Sequence, residues 1–120
     1  MYNIRPHQDW KYDGQYVHNQ EKDIAELLAE HDLKFVYRQP TYLINEARPA
    51  IASPSFTIRS LENLIVDYSP LYNSFDREYK QKMYELNDLE AIVINRAYFE
   101  NERWRQKLYN SIMGYPDRYI

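Results

Sequence analysis

An acidic side chain, Asp67, closes a strand that is otherwise apolar, Leu64-Ile65-Val66-Asp67. A carboxylate beside a sheet is costly to bury unless it reaches solvent, a cation or a hydrogen-bond donor. Carboxylates in such positions often belong to functional sites, so Asp67 is a candidate site residue. The structural alternative is that Asp67 caps the turn before Pro70 or pairs with an arginine, as aspartates at strand ends commonly do.

The sequence excludes several other kinds of chemistry. It contains no cysteine, which rules out thiol nucleophiles, disulfides and cysteine zinc sites. Its two glycines, Gly14 and Gly114, are too few for a phosphate-binding loop or for the elbow of a serine hydrolase. His7, His18 and His31 are scattered and lack the spacing of a paired-histidine metal site. Acidic and lysine side chains at the ends of elements remain as the candidates.

Length and composition predict one globular domain. The 120 residues are 44% hydrophobic and 28% charged, which lies inside the globular range. The net charge of −3 argues against coating nucleic acid by bulk electrostatics, although it leaves room for a local site. The apolar runs are far shorter than a membrane span and the N-terminus has no apolar signal core, so we expect a cytoplasmic protein with no membrane partner.

Helices are predicted in three places. The first runs from Asn19 or Gln20 to His31, with Asn19 as its N-cap and Glu21 in the first turn, on the flank of the apolar stripe. The second begins near residue 73 or 74 and turns the side containing residues 75, 79, 82, 83 and 86 inward. The third spans about residues 100–113 and stops at Gly114.

Strands are predicted between these helices. One covers residues 35–44 with an interruption at Pro40, and others cover residues 54–59, 64–68 and 89–94. Residues 62–63 form a turn. The order of elements is therefore α-β-β-β-α-β-α, an α/β fold in which residues 19–120 form one domain. Residues 1–18 show no sustained period and are predicted to be an aromatic arm.

The chain resembles the PD-(D/E)xK nuclease superfamily, in its Holliday-junction-resolvase and restriction-endonuclease-like branches, over roughly residues 20–95. The resemblance consists of the α-β-β-β-α-β order and three segments. A helix that contains Glu21 leads to the strand Phe35-Val36-Tyr37-Arg38, Pro54-Ser55-Phe56 stands where the family has Pro-Asp-Phe, and Asp67-Tyr68-Ser69 stands where the family has acid, any residue, lysine. The resemblance implies a central mixed sheet of four strands flanked by helices.

The same resemblance implies a site and a reaction. Glu21 and Asp67, with the carbonyl of Tyr68 as a third ligand, would hold Mg²⁺ or Mn²⁺ for the hydrolysis of a nucleic-acid phosphodiester, DNA more than RNA. Ser55 would contribute only a neutral hydroxyl or a bridging water. Two family positions differ: Ser55 replaces a metal-binding aspartate and Ser69 replaces the lysine. The family tolerates migration of that lysine to the following helix, where Lys80 and Lys82 are both available. The sequence does not choose between these two lysines.

Each of these residues also has a structural interpretation. Glu21 would interact with the helix dipole, Lys80 and Lys82 would lie on a solvated helix face, and Ser55 would be a strand residue without a role. The expected function is therefore a metal-dependent nuclease or a degenerate relative of one. The alternative is a non-catalytic module on the same fold, which binds nucleic acid or protein through its aromatic surface.

Assembly is the last expectation from sequence. A nuclease-like domain with net charge −3 has little basic surface with which to grip a duplex alone, while 13 tyrosines and an aromatic arm offer contact area. We therefore expect a homodimer.

Overall fold

The computed structural model describes residues 16–114, which form three α-helices and six β-strands. The predicted arm therefore lies outside the described residues for positions 1–15. The helices are α1 (Asn19–Glu30), α2 (Ser74–Leu86) and α3 (Trp104–Met113). The strands are β1 (Val36–Tyr37), β2 (Thr41–Asn45), β3 (Arg48–Ala52), β4 (Phe56–Ile58), β5 (Leu64–Ser69) and β6 (Ala91–Asn95).

Four strands form the central sheet in the order β1-β4-β5-β6. The β1-β4 and β4-β5 pairs are antiparallel, whereas β5 and β6 are parallel and joined through α2. Phe56 pairs with Val66, so the strand that contains Phe56 lies beside the strand that ends with Asp67 and Ser69. The prediction of a mixed α/β fold with a four-stranded mixed sheet and flanking helices is confirmed.

The prediction of one interrupted strand over residues 35–44 was wrong. Arg38 adopts a positive φ of 55°, which turns the chain, and Pro40 has no N–H to donate to a sheet. Residues beyond this break form a separate two-stranded hairpin of β2 and β3. Its turn places Glu46 and Ala47 at φ values of 52° and 65°, the left-handed geometry that matches the twist of a two-residue hairpin.

Two hydrophobic clusters cover the two faces of the central sheet. The larger contains side chains of α1, α3 and one face of the strands, among them Ile24, Leu28, Val66, Leu108 and Ile112. The smaller lies under α2 and the hairpin and contains Leu43, Ile65, Tyr84 and Val93. The alternation of β5 side chains between these clusters sends Asp67 and Ser69 to the face that α2 covers.

The predicted inward side of α2 was wrong. Phe75 and Leu86 are 77% and 74% exposed, and the buried residue of this helix is Tyr84. The physical reason lies in β6, an edge strand whose outer N–H and C=O groups need partners. Gln81 accepts a hydrogen bond from the N–H of Val93 at 3.1 Å and donates one to the carbonyl of Ala91 at 2.8 Å. The polar side of α2 therefore faces the sheet.

The ends of the helices agree with the predictions in part. Asn73 caps α2 by accepting a hydrogen bond from the N–H of Phe75, and Gly114 ends α3 with a φ of 82°. The N-cap of α1 is His18 and not Asn19, and α3 begins later than predicted because a 3₁₀ turn covers Arg96–Glu100. Within residues 16–114, no helix is both long and apolar enough to cross a membrane.

Candidate functional site

Glu21 is fully buried in the first turn of α1. Its Oε1 accepts a hydrogen bond from the N–H of His18 at 3.2 Å, so the carboxylate bends back over the start of its own helix. A negative side chain at this end of a helix is stabilised by the positive end of the dipole and by the unpaired N–H groups there. This placement turns Glu21 toward the central sheet.

Ser55 lies between the two acidic residues. Its hydroxyl oxygen is 2.6 Å from Oε2 of Glu21 and 3.2 Å from Oδ1 of Asp67, and it accepts a hydrogen bond from the N–H of Tyr68 at 3.1 Å. A hydroxyl carries one proton, which the shorter distance assigns to Glu21. Oδ1 of Asp67 instead accepts a hydrogen bond from the backbone N–H of Ser55 at 3.0 Å.

Tyr37 and Arg38 complete the surroundings of Glu21. The Tyr37 hydroxyl donates to Oε1 of Glu21 at 2.8 Å, and Nη2 of Arg38 lies 3.3 Å from Oε2. Burial raises the pKa of the Tyr37 phenol to about 12, against the lowering effect of the hydrogen bonds from Val17 and Arg38 and with a smaller increase from Glu21. The phenol therefore stays protonated and remains a donor across the physiological range.

Tyr84 holds the second carboxylate. Its hydroxyl donates to Oδ2 of Asp67 at 2.7 Å from the buried side of α2. Burial, and then the charge and hydrogen bond of Asp67, raise the pKa of the Tyr84 phenol above its ordinary value. With Tyr84 in place, each of the four carboxylate oxygens of Glu21 and Asp67 accepts at least one hydrogen bond from the protein.

The two candidate lysines occupy different environments. Nζ of Lys80 is 3.7 Å from Oδ2 of Asp76, and the Ser69 hydroxyl donates to the same oxygen. Lys80 and Ser69, the last residue of β5, therefore share one carboxylate oxygen. Lys82 is exposed and forms no ion pair with the residues that the structure describes. The structure thus brings together Glu21, Ser55 and Asp67, places Lys80 nearby through Asp76, and leaves Lys82 outside.

The donor set does not fit a divalent cation as it stands. Among residues 16–114, no three histidine, cysteine, aspartate or glutamate side chains are grouped so that they could hold a metal ion. The two carboxylates that converge are almost completely buried, and a hydroxyl stands between them. A cation would have to displace the hydrogen bonds from Ser55, Tyr37 or Tyr84. The arrangement instead satisfies both carboxylates with hydrogen bonds from protein donors alone.

Sequence reasoning missed Tyr37, Arg38 and Tyr84. Tyr84 had a usable signal, because Asp76, Lys80 and Tyr84 repeat at a spacing of four residues and so share one side of a helix. Tyr37 had none, since it was one tyrosine among 13 and its hydroxyl contacts depend on the position of α1.

Comparison of the chain with protein-family models, curated proteins and solved structures found no match.

Proposed function

We propose that this domain is a non-catalytic protein-interaction module that associates with a second copy of itself, built on an endonuclease-like core. The observation that carries the proposal is an exposed apolar surface on the outer side of the hairpin and α2. We call it the outer apolar face, and it consists of Tyr42, Ile44, Ile51, Phe75, Tyr79 and Leu86. Its most exposed member is Tyr42, at 80%.

The hairpin and α2 form one continuous layer under this face. The side-chain amide of Asn87 accepts a hydrogen bond from the N–H of Ile44 at 2.7 Å and donates to its carbonyl at 3.0 Å. Asn45 donates to the Tyr79 hydroxyl at 2.9 Å. Leu43 and Tyr84 pack beneath the layer in one cluster, so the opposite sides of both elements point outward together. Clustered exposed apolar side chains of this kind are typical of protein interfaces.

Charge favours a second copy as the occupant. The hairpin and α2 carry exposed charges of both signs beside the outer apolar face, Arg48 and Lys82 against Glu46, Glu78 and Glu85. In a two-fold dimer the same surface meets itself, so charges of both signs can pair across the interface, whereas charges of one sign would repel.

The core explains the loss of catalysis in this proposal. The element order without the hairpin, and the sheet order, resemble those of the PD-(D/E)xK superfamily, and Glu21, Ser55 and Asp67 occupy the corresponding positions. Ser55 in place of aspartate supplies one neutral hydroxyl that bridges the two remaining carboxylates. The former metal site then serves to connect α1, β4 and β5.

Light scattering over a range of concentrations tests self-association. We expect a dimer for the wild-type chain, and for Phe75→Gln and Ile51→Thr a dissociation constant raised by about tenfold or more, because each variant removes an exposed apolar contact. Val17→Thr is the matched control, since Val17 is exposed but lies at the start of α1. A wild-type chain that stays monomeric throughout would overturn the proposal.

A metal-dependent nuclease is the second candidate, favoured by the approach of both carboxylates to one atom, Ser55 Oγ. Its test is cleavage of single-stranded, duplex and branched DNA, and of RNA, with Mg²⁺ or Mn²⁺. Cleavage by the wild type that disappears in Asp67→Asn would establish this function. If Ser55→Asp cleaves and the wild type does not, the result would instead support a domain that lost its nuclease activity through the change at residue 55.

A further inference from the structure

A second polar site lies at the start of α1, outside the network of Glu21 and Asp67. A pocket of about 430 Å³ opens there, and its lining contains no acidic residue. The lining residues are Val17, His18, Asn19, Gln20, Tyr68, Pro70 and Arg96. The volume lies in the range of pockets that take small molecules.

The helix start supplies hydrogen-bond donors to this pocket. α1 has 12 residues, and no described residue accepts a hydrogen bond from the N–H groups of Asn19 and Gln20. The dipole of the helix places partial positive charge at the same point. The N–H of His18 donates to Glu21, so the backbone donors that remain for a ligand are the N–H groups of Asn19 and Gln20.

Tyr68 provides an independent indication of a ligand. It is only 4% exposed, it lines the pocket, and its hydroxyl makes no hydrogen bond to any described residue. Its ring is held by edge contacts with His18 and Phe99, at centroid distances of 5.4 and 5.8 Å. The buried hydroxyls without a hydrogen-bond partner among the described residues include those of Thr57 and Tyr98 but not that of Tyr68, so the Tyr68 hydroxyl is open to the pocket and free to donate to a ligand there.

Arg96 adds a full positive charge. Its guanidinium stacks over the Tyr72 ring at 4.7 Å and forms no ion pair with the described residues. Burial raises the pKa of the Tyr68 phenol, and the nearby charge of Arg96 opposes that increase. Glu21 and Tyr72 add to the increase. Arg96 and Tyr68 both line the pocket. Both residues lie at the carboxyl ends of the parallel strands β5 and β6, the edge where α/β sheets usually bind ligands.

We propose that this pocket binds a phosphate group, free or as a phosphate monoester. Its donors come from separate elements: the Arg96 guanidinium, the Tyr68 hydroxyl and two backbone N–H groups of α1. A tetrahedral phosphate offers more acceptor oxygens to such a set than a planar carboxylate does. The proposal is independent of self-association, because the outer apolar face shares no residue with the pocket.

NMR titration of the full chain at constant ionic strength tests the phosphate site. We expect inorganic phosphate and adenosine monophosphate to shift the amide signals of Asn19 and Gln20 saturably, while chloride, acetate and adenosine do not. Arg96→Gln should weaken binding by about tenfold or more, and Tyr68→Phe by a smaller factor. Arg103→Gln, which changes an exposed arginine outside the pocket, should have no effect.

Comparison of the two phosphates identifies the source of the group. Tighter binding of adenosine monophosphate assigns the pocket to a phosphate monoester, and equal binding assigns it to the free anion. The absence of saturable shifts, equal binding of acetate, or unchanged affinity in Arg96→Gln would overturn the proposal. Tyr68→Phe keeps the ring and its packing, so a thermal midpoint near that of the wild type shows that any loss of binding comes from the hydroxyl.

Discussion

Ser55 has the side chain that joins the two carboxylates of the candidate site. Its single hydroxyl contacts both carboxylates and accepts the N–H of Tyr68. Buried carboxylates are costly without hydrogen-bond partners, and this one hydroxyl lies within hydrogen-bond distance of both. Ser55 is therefore the residue that holds the network together.

Ser55→Ala should lower the free energy of unfolding by about 1–3 kcal/mol, because it leaves Glu21 and the N–H of Tyr68 short of a buried partner. Chemical denaturation measures the change. Ser53→Ala is the matched control, since Ser53 is exposed two residues earlier in the chain. Equal stability of the two variants would show that the network contributes nothing to folding.

The buried phenol of Tyr98 should make the protein less stable at alkaline pH. Burial raises the pKa of its phenol to about 12, against 10.0 for a free phenol, and its hydroxyl has no hydrogen-bond partner among the described residues. The unfolded chain therefore releases this proton first, and the free energy of unfolding should fall as the pH rises from about 10 to about 12.

Tyr98→Phe should reduce that fall by an amount on the order of 1 kcal/mol, since it removes one raised phenol without removing a hydrogen bond. Denaturation at a series of alkaline pH values measures the slope. Tyr42→Phe, at a site that is 80% exposed, should leave the slope unchanged. An unaltered slope in Tyr98→Phe would contradict the prediction.

The sequence pointed to the two acidic residues of the site but not to the side chains that donate hydrogen bonds to them. The place of Asp67 at the end of an apolar strand was enough to single it out, whereas Glu21 entered as what the resemblance to a nuclease family implies. Tyr37 and Arg38 could not be assigned to Glu21 from sequence, because their contacts depend on how α1 lies against β1.

The hairpin is the element that sequence reasoning missed. β3 contains Pro49 and begins with an arginine, so it lacks the run of β-branched residues that predicts a strand. It forms because β2 offers a partner and because Ala50 and Ala52 are small enough to lie against the cluster beneath. Helix α2 shows the same limit, since its apolar periodicity marks an exposed side while the edge of β6 selects the polar side.

Asn87 should control how firmly the hairpin is attached. Its amide forms two hydrogen bonds with the backbone of Ile44 and one with the carbonyl of Met83 at 2.9 Å. Asn87→Ala removes all three, so the amides of β2 and β3 should exchange with solvent about tenfold faster or more, while those of β5 and β6 keep their protection.

Hydrogen exchange followed by NMR resolves these strands. Asn110→Ala removes an exposed amide that pairs with Gln106 and serves as the control. Uniformly faster exchange across both sheets would mean that the hairpin and the central sheet open together, contrary to this expectation.

The two hydrophobic clusters lie on opposite faces of the central sheet. Leucine side chains occur both inside these clusters and on the exposed surface. Leu108 is fully buried in the larger cluster, whereas Leu86 is 74% exposed on the outer apolar face. This contrast separates side chains that fold the protein from side chains available for an interface.

Leu108→Ala should lower the free energy of unfolding by about 2–5 kcal/mol through lost burial and a cavity. Leu86→Ala should change it by less than about 0.5 kcal/mol in the monomer, yet weaken self-association. Denaturation at low concentration and light scattering at high concentration measure the two effects. A large loss of monomer stability in Leu86→Ala would show that this side chain is part of the core.

The packing of α1 with α3 has a consequence for the order in which the chain folds. Ile24 and Leu28 share one cluster with Leu108 and Ile112, and Arg105 reaches Glu30 at 2.7 Å. A ribosome releases α1 long before α3, so the apolar stripe of α1 must wait for a partner that is made about eighty residues later. An arrested nascent chain that stops before α3 should therefore remain sensitive to protease, and protection should appear only after Ile112 has left the exit tunnel.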